Sequence, residues 1–421
     1  MRKQMISIII LGMFLLTSVI SLSATGINSS KAGTLECNKT IYVDDDAALG
    51  GDGSADHPFD TIQEAVFAAN DGDTVFVYSG TYVEEAKYYD VSGSGWDWVC
   101  LWVNKSIDLI GENKENTIIT GQGIDFIDTR ADLVRFKADY ITMSGFTVTY
   151  TDWQTSGIQV FSDYNDVYDN IITDIDGSGI ELSDNAEYNK VHDNIIYHNS
   201  WGRWAGIYLE YSKYNEIYMN EIYDHPEWGI VLIYAEDNKI YNNNIRNSEE
   251  KSVHMWYSIK DNFFMGNYYD DYVGFDSDGD GYGDVPYNIN PTDPKIEDRR
   301  PKMDPVEENL PLVALPLSFC VEKNENLEIQ AVAAGGVKPW TFKWDLDNDG
   351  EFDDAEGQTI QKSWDSECKV TIKVKMIDAN ENTITASSTV TVTKEKTKNV
   401  NIFEIFLNRI IDRVPILEIF L

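Results

Sequence analysis

Two acidic loops carry the pattern by which a short chain wraps a hard cation. In Asp276-Ser-Asp278-Gly-Asp280-Gly-Tyr-Gly-Asp284, carboxylates fall at positions one, three, five and nine, with glycine at six. Alternate oxygens converge in such a loop, the glycine permits the sharp turn, and the Tyr282 carbonyl adds an oxygen. Position twelve is Tyr287, so the bidentate glutamate is missing. Asp345-Leu-Asp347-Asn-Asp349-Gly-Glu-Phe-Asp353-Asp-Ala-Glu356 is a complete match to the twelve-residue calcium pattern. Trp340 to Trp344, just before it, reads as a strand, which argues against an EF-hand. The expected ion is structural calcium; the plain alternative is a pair of solvated acidic turns.

Other residues are suited to sugars. Glu181 and Glu210 are expected to point outward on neighbouring rungs of a coiled chain, offset by two residues. Their backbones would then lie roughly 8 Å apart, within the range of an inverting glycosidase pair, with Arg203 nearby. Chance pairs of carboxylates are expected in so acidic a chain, and the aspartate-plus-basic clusters of β-helix lyases and hydrolases are not evident. The preferred reading is therefore non-catalytic. Tyr168, His192, Tyr218 and Tyr241 hold equivalent outward positions, with Met265 above them. Trp153, Trp201, Trp204 and Trp228 precede the Gly-Ile strands. Aligned aromatics would offer flat platforms to sugar rings, or else pack under loops and the next domain. A third reading sets His198 and His225 at nearly equivalent points of adjacent rungs, where imidazoles could hold copper.

All of this geometry depends on a repeat. The phrase Asn, any, apolar, any, any, Asn, any, apolar occurs five times, starting at Asn165, Asn189, Asn215, Asn238 and Asn262, with spacings of 24, 26, 23 and 24 residues. Gly157-Ile158, Gly179-Ile180, Gly206-Ile207, Gly229-Ile230 and Ser252-Val253 recur between the copies. Apolar residues alternate at the period of a strand. Such short strands bury a face only by stacking coil on coil. The expected fold is all-β, a right-handed parallel β-helix over residues 40–290, with asparagines bonded up the stack as ladders. Asparagine's tolerance of unusual backbone angles suits it to the turns. A helix over Asp60 to Asn70 is expected to cap the open end.

Residues 1–24 combine Arg2, Lys3 and the apolar run Ile6 to Ile20 in the manner of a secretory signal, predicting a secreted or cell-surface protein. Asn28, Asn38 and Asn104 stand in glycosylation-type triplets. Four cysteines allow two disulfides outside the cytoplasm. Chain order suggests Cys37 with Cys100 and Cys320 with Cys368; other pairings, or four thiols, remain open. With 33 basic against 71 acidic residues the net charge is −38, which argues strongly against nucleic acid as a partner. Residues 291–311 read as a linker, and 312–393 as a β-sandwich with alternating strands. The tail 394–421 is apolar but interrupted by charges and Pro415, suited to a membrane surface or partner rather than a span.

The stretch Gly266 to Asn288 and the opening Tyr42-Val-Asp-Asp-Asp46 resemble surface β-helix proteins of the NosD-like, CASH-type family, many of them archaeal. The resemblance covers roughly residues 40–300 and implies that architecture, with copper delivery in the protein that names the family. Gly335-Gly-Val-Lys-Pro-Trp-Thr-Phe-Lys-Trp-Asp345 resembles the polycystic-kidney-disease (PKD) domain, which implies an immunoglobulin-like spacer. The combined expectation is a surface β-helix, stiffened by calcium, that binds extracellular glycan or builds the envelope, with a polysaccharide hydrolase or lyase and a copper protein as alternatives.

Overall fold

The computed structural model describes residues 38–90, 96–124, 131–151, 155–199, 205–257, 261–277, 279–289, 296–316 and 318–394. The chain divides into two units, Met1–Lys39 and Thr40–Leu421, and the architecture below belongs to the second. The proposed leader, Cys37, Asn28 and the tail 395–421 lie outside the described residues.

Each coil lays down three short strands, for example Asp166–Tyr168, Ile171–Thr173 and Ile180–Leu182. Stacking turns them into three sheets of eleven, eight and eight strands, parallel from coil to coil except at their ends. The register is the one the repeat predicts. Val167, Val191, Ile217, Ile240 and Phe264 are successive partners in the first sheet. Ile158, Ile180, Ile207, Ile230 and Val253 are partners in the third. These files fill one continuous apolar core, so a one-residue slip in any coil would turn its apolar set outward.

Asparagine columns run beside that core. Asn165, Asn189, Asn215, Asn238 and Asn262 form one, each side-chain amide donating to the next Oδ1 at 2.8–3.1 Å. Asn170, Asn194, Asn220, Asn243 and Asn267 form the other at 2.9–3.2 Å. The ladders match the expectation, but the backbone role does not. The left-handed conformation falls on the residue before the second asparagine: Asp169, Asp193, Met219 and Asn242, with φ between 51 and 56°. The asparagine itself turns inward, where its amide satisfies buried donors and acceptors at the corner.

Earlier coils are less regular. The run Ile141 to Val148 is two strands, Thr142–Ser144 and Thr147–Thr149, with Gly145 at φ 82° in the corner between them. A Cβ there would lie 2.3 Å from the Gly111 carbonyl oxygen, so the site requires glycine. The cap helix is Ile62–Ala68; Thr61 caps it by accepting from the Glu64 N–H, and Ile62, Ala65 and Val66 are buried against the first coils.

Residues 296–310, expected as linker, close the last coil instead. Glu297–Asp298 joins the first sheet through Phe264. Lys302 N–H donates to the Asn267 carbonyl, and Val306 exchanges hydrogen bonds with Asn244. The open strand edge explains the difference, because its unpaired groups take whatever backbone follows.

Beyond Leu312 a second core forms between a five-stranded sheet and two two-stranded sheets. Trp344, Ile372, Val374, Met376 and Val390 meet Val313, Ile329, Ala333 and Ile360 there. The expected Cys320–Cys368 bridge is excluded. Cys320 is opposite Thr391 and Cys368 is opposite Val392, so strand Thr383–Thr393 runs between them. Two strand spacings are about 9–10 Å, beyond disulfide reach, and successive residues face opposite sides of the sheet. Both cysteines are free thiols, as is the buried Cys100.

Candidate functional site

The outer face of the third sheet carries a file of side chains in which Arg135, Glu181 and Tyr208 are buried polar groups. Its central file runs Trp102, Arg135, Gln159, Glu181, Tyr208, Val231 and His254, one residue per coil in register. The Gly-Ile pairs position this file, since alternation that turns Ile180 and Ile207 inward turns Glu181 and Tyr208 outward. A Cβ on Gly206 would lie 2.8 Å from the Gly229 carbonyl oxygen and 2.5 Å from His225 Nε2. Glycine there lets consecutive coils approach and keeps the file aligned.

Glu181 is only 6% exposed. Ser156 Oγ donates to its Oε2 at 2.5 Å. Burial pushes its carboxyl above the usual range despite hydrogen bonding, and the charge of Glu210 adds to that. Leu182 pairs with Leu209, so Glu210 stands one coil on and two residues along from Glu181. Burial and then Asp184 raise the Glu210 carboxyl also. Tyr208, beside both, is 6% exposed; burial, Glu210 and Glu181 push its phenol up. Two coils before Glu181, Asp132 and Arg135 form a buried ion pair, with Arg135 Nε 2.9 Å from Asp132 Oδ2 and its guanidinium over the Phe161 ring.

Aromatic surface adjoins this acidic end. Trp228 stacks on His254 at 4.9 Å and meets Trp256 edge-on at 4.8 Å. These rings pack with Ala205, Tyr208, Val231 and Ile233. An acid pair followed along one face by partly exposed tryptophans can bind a linear polymer and deliver a proton to it. Of this set the sequence reading had Glu181, Glu210 and Trp228. It missed Asp132, Arg135, Tyr208 and Trp256, although each falls in register with a residue already singled out. Trp153, Trp201, Arg203 and Trp204 lie outside the described residues.

Tyr168, His192, Tyr218 and Tyr241 do form one file, but they stack on one another. Their centroids are 4.6–5.1 Å apart and their planes within 4–8°. Each ring therefore covers its neighbour's face, leaving edges rather than platforms for a ligand. Tyr241 is further buried against Leu312 and Ala334. The histidine pair does not converge. His198 is exposed, its Nε2 3.9 Å from Asp224 Oδ2, whereas His225 is wholly buried with Nδ1 2.9 Å from the Asn199 carbonyl oxygen. Asp224, not His225, is the neighbour of His198, and consecutive residues at that corner point to opposite sides of the wall.

The acidic loops also differ from the sequence pattern. Asp280 pairs with Arg300, Asp284 accepts from Ser277, and Asp276 accepts from Gly279 and Gly281. Tyr282 lies under Arg300 and Lys302; Asp278 lies outside the described residues. Among the described residues the one set of acidic groups spaced to share a cation is Asp345, Asp347 and Asp354. Asp349, Asp353 and Glu356 are not in it.

Residues 132–270 match a protein-family model described as a right handed beta helix region, and the coil over those residues is accordingly right-handed. No curated protein matches the chain. Among solved structures, a rhamnogalacturonan lyase is similar at 18% identity and a TM-score of 0.47, over 55% of this chain and 68% of that one. The pectate lyase Pel9A is similar at 15% identity and 0.39, over 55% and 62%. A lacto-N-biosidase from Eubacterium ramulus is similar at 12% identity and 0.38, over 55% and 56%. Likeness at this level leaves the chemistry of this chain to its own residues.

Proposed function

We propose that this protein acts on a polysaccharide laid along the outer face of the third sheet, as an inverting glycoside hydrolase. The observation that carries the reading is Glu181. Burial beside a second carboxyl raises the Glu181 carboxyl, the direction that suits a group giving a proton to a leaving oxygen. Glu210 is the base that activates water. Its offset from Glu181, one coil and two residues, corresponds to roughly 8 Å between backbones, and an inverting pair holds its carboxyls about 6.5–9.5 Å apart to admit that water. Trp228 and Trp256 supply apolar ring surface for neighbouring sugars. An exported location, expected from residues 1–24, suits such a substrate, and a PKD-like spacer after Leu312 suits a surface-attached protein. The test is reducing-sugar release from a panel of plant, bacterial and animal polysaccharides, with the product anomer followed by NMR. Glu181→Gln and Glu210→Gln should each lower turnover by at least about a hundredfold while the fold is retained. A retained anomer or an unsaturated product would remove the inverting mechanism.

A non-catalytic glycan-binding reading is favoured by Trp228 and Trp256, partly exposed rings that bind a sugar without any acid. It predicts affinity without turnover. Binding would then fall in Trp228→Ala/Trp256→Ala and persist in Glu181→Gln.

A further inference from the structure

We propose a calcium site in the loop that joins strand Thr341–Asp345 to strand Ala355–Glu356, with Asp345, Asp347 and Asp354 as its carboxylate ligands. It stands apart from the polysaccharide reading and uses none of its residues.

The three carboxylates each offer an oxygen within 4.8 Å of the others. Two are on the loop's first limb and one on its last, so an ion between them would tie both ends of the turn. The loop's own hydrogen bonds hold this arrangement. Asp345 Oδ2 accepts from the Gly350 N–H at 3.1 Å, Asp347 Oδ1 from the Asp349 N–H at 3.2 Å, and Asp354 Oδ2 from the Leu346 N–H at 2.6 Å. Gly350, at φ 96°, makes the tight bend that brings the two limbs together.

A second observation points to a ligand. Asp345 is fully buried, and its Oδ1 has no hydrogen-bond partner. A buried carboxylate oxygen without a donor is costly unless a cation meets it. Lys373 Nζ approaches the other oxygen, Oδ2, at 3.4 Å. One ammonium against three carboxylates leaves the cluster strongly negative. Preassembled, all-oxygen ligation on a loop suits calcium, which accepts irregular geometry; magnesium prefers a strict octahedron that keeps its waters.

The set differs from the sequence pattern for a physical reason. Ala355 and Glu356 pair with Trp344 and Lys343 in an antiparallel bridge. That bridge commits Glu356 to a strand and brings Asp354, not Asp353, beside Asp345.

Terbium titration of the full chain tests the site. Trp344 adjoins Asp345, with its Nε1 bonded to the Gly357 carbonyl at 2.8 Å, and would sensitise terbium bound there. Calcium should displace the ion and raise the melting temperature of the C-terminal unit. Asp347→Asn and Asp354→Asn, both exposed positions that avoid disturbing the core, should each weaken calcium binding at least about tenfold through lost ligand charge. Asp349→Asn, Asp353→Asn and Glu356→Gln should leave it unchanged. Sensitised emission that is absent, or insensitive to Asp347→Asn and Asp354→Asn, would overturn the proposal. So would equal weakening by Asp349→Asn or Asp353→Asn, since the sequence-pattern ligands would then be in use.

Discussion

The side-chain amide of Asn267 donates to Asp298 Oδ2 at 3.1 Å, and with that bond the column that begins at Asn170 ends on a carboxylate. Every group around Asp298 in this network is a donor. Oδ2 also accepts from the Asn267 N–H and the Tyr269 hydroxyl, and Oδ1 accepts from the N–H groups of Gly266 and Arg300. A ladder of amides passes each unmet need to the next rung, and only an acceptor with no proton to place can stop it.

Replacing that acceptor with an amide should therefore be costly. In Asp298→Asn, either orientation of the side chain turns an NH2 toward existing N–H or O–H donors. At pH 8 the carboxyl is ionised, although burial outweighs its donors and pushes it up to about 6. Urea unfolding at that pH should show a loss of about 2–4 kcal/mol, and a similar loss for Asn220→Ala within the column. Lys190→Ala, exposed on the same sheet, should change stability by less than about 0.5 kcal/mol. A tolerated Asp298→Asn would mean that the column needs no carboxylate end.

Among the described residues, Cys100, Cys320 and Cys368 should behave as separate thiols. Cys320 is exposed, and Cys368 lies across an intervening strand from it. Alkylation of the native protein followed by mass mapping should label Cys320 quickly, with no Cys320–Cys368 bridge before or after air oxidation. Cys100 is buried, and its thiol is pushed up mainly by that burial, so it should react only in denaturant. A linked Cys320–Cys368 peptide would contradict the strand order.

How much of this was legible beforehand follows from what repeats. Files such as Val167 to Phe264 could be read because the same side chain in every coil is one physical interaction written five times. The ladders were legible for the same reason. Asp298 was not, since an end occurs once and its strand of two residues carries no periodicity. The site was half legible. Register brought out Glu181 and Glu210, but their burial depends on what packs over the face, which alternation does not encode. Tyr168, Tyr218 and Tyr241 looked like platforms because spacing along the axis is readable while ring orientation is not; in this file the rings lie parallel about 5 Å apart and cover one another. Asp354 was passed over because the twelve-residue pattern assumes a loop free of strand pairing.

Two histidines should give stability slopes of opposite sign on either side of pH 6.5, the acid one opposed by Glu84 and Asp298, whose carboxyls burial raises to about 7 and about 6. His192 is stacked between Tyr168 and Tyr218, with Asp166 2.9 Å from Nε2 and Asp193 2.6 Å from Nδ1. Desolvation lowers its pKa, but hydrogen bonds and charge from the two aspartates outweigh it and raise the value to about 9. Its contribution is complete below the unfolded value and is lost as pH rises from 6.5 through 9. His225 shows the opposite sign. Burial lowers it to about 4, against the smaller effect of the Asn199 carbonyl. Its contribution is complete above 6.5 and is lost as pH falls toward 4. Each is worth roughly 1–3 kcal/mol across its window. Denaturant midpoints between pH 5 and 9.5 should show both slopes. His192→Gln should flatten the alkaline slope alone. His225→Asn should reduce the acid slope alone, leaving the part owed to His254, which burial also lowers, and the opposing part owed to Glu84 and Asp298. If His192→Gln leaves the alkaline slope intact, the ring is not charged in its stack, and the file of Tyr168, His192 and Tyr218 is held by ring contact only.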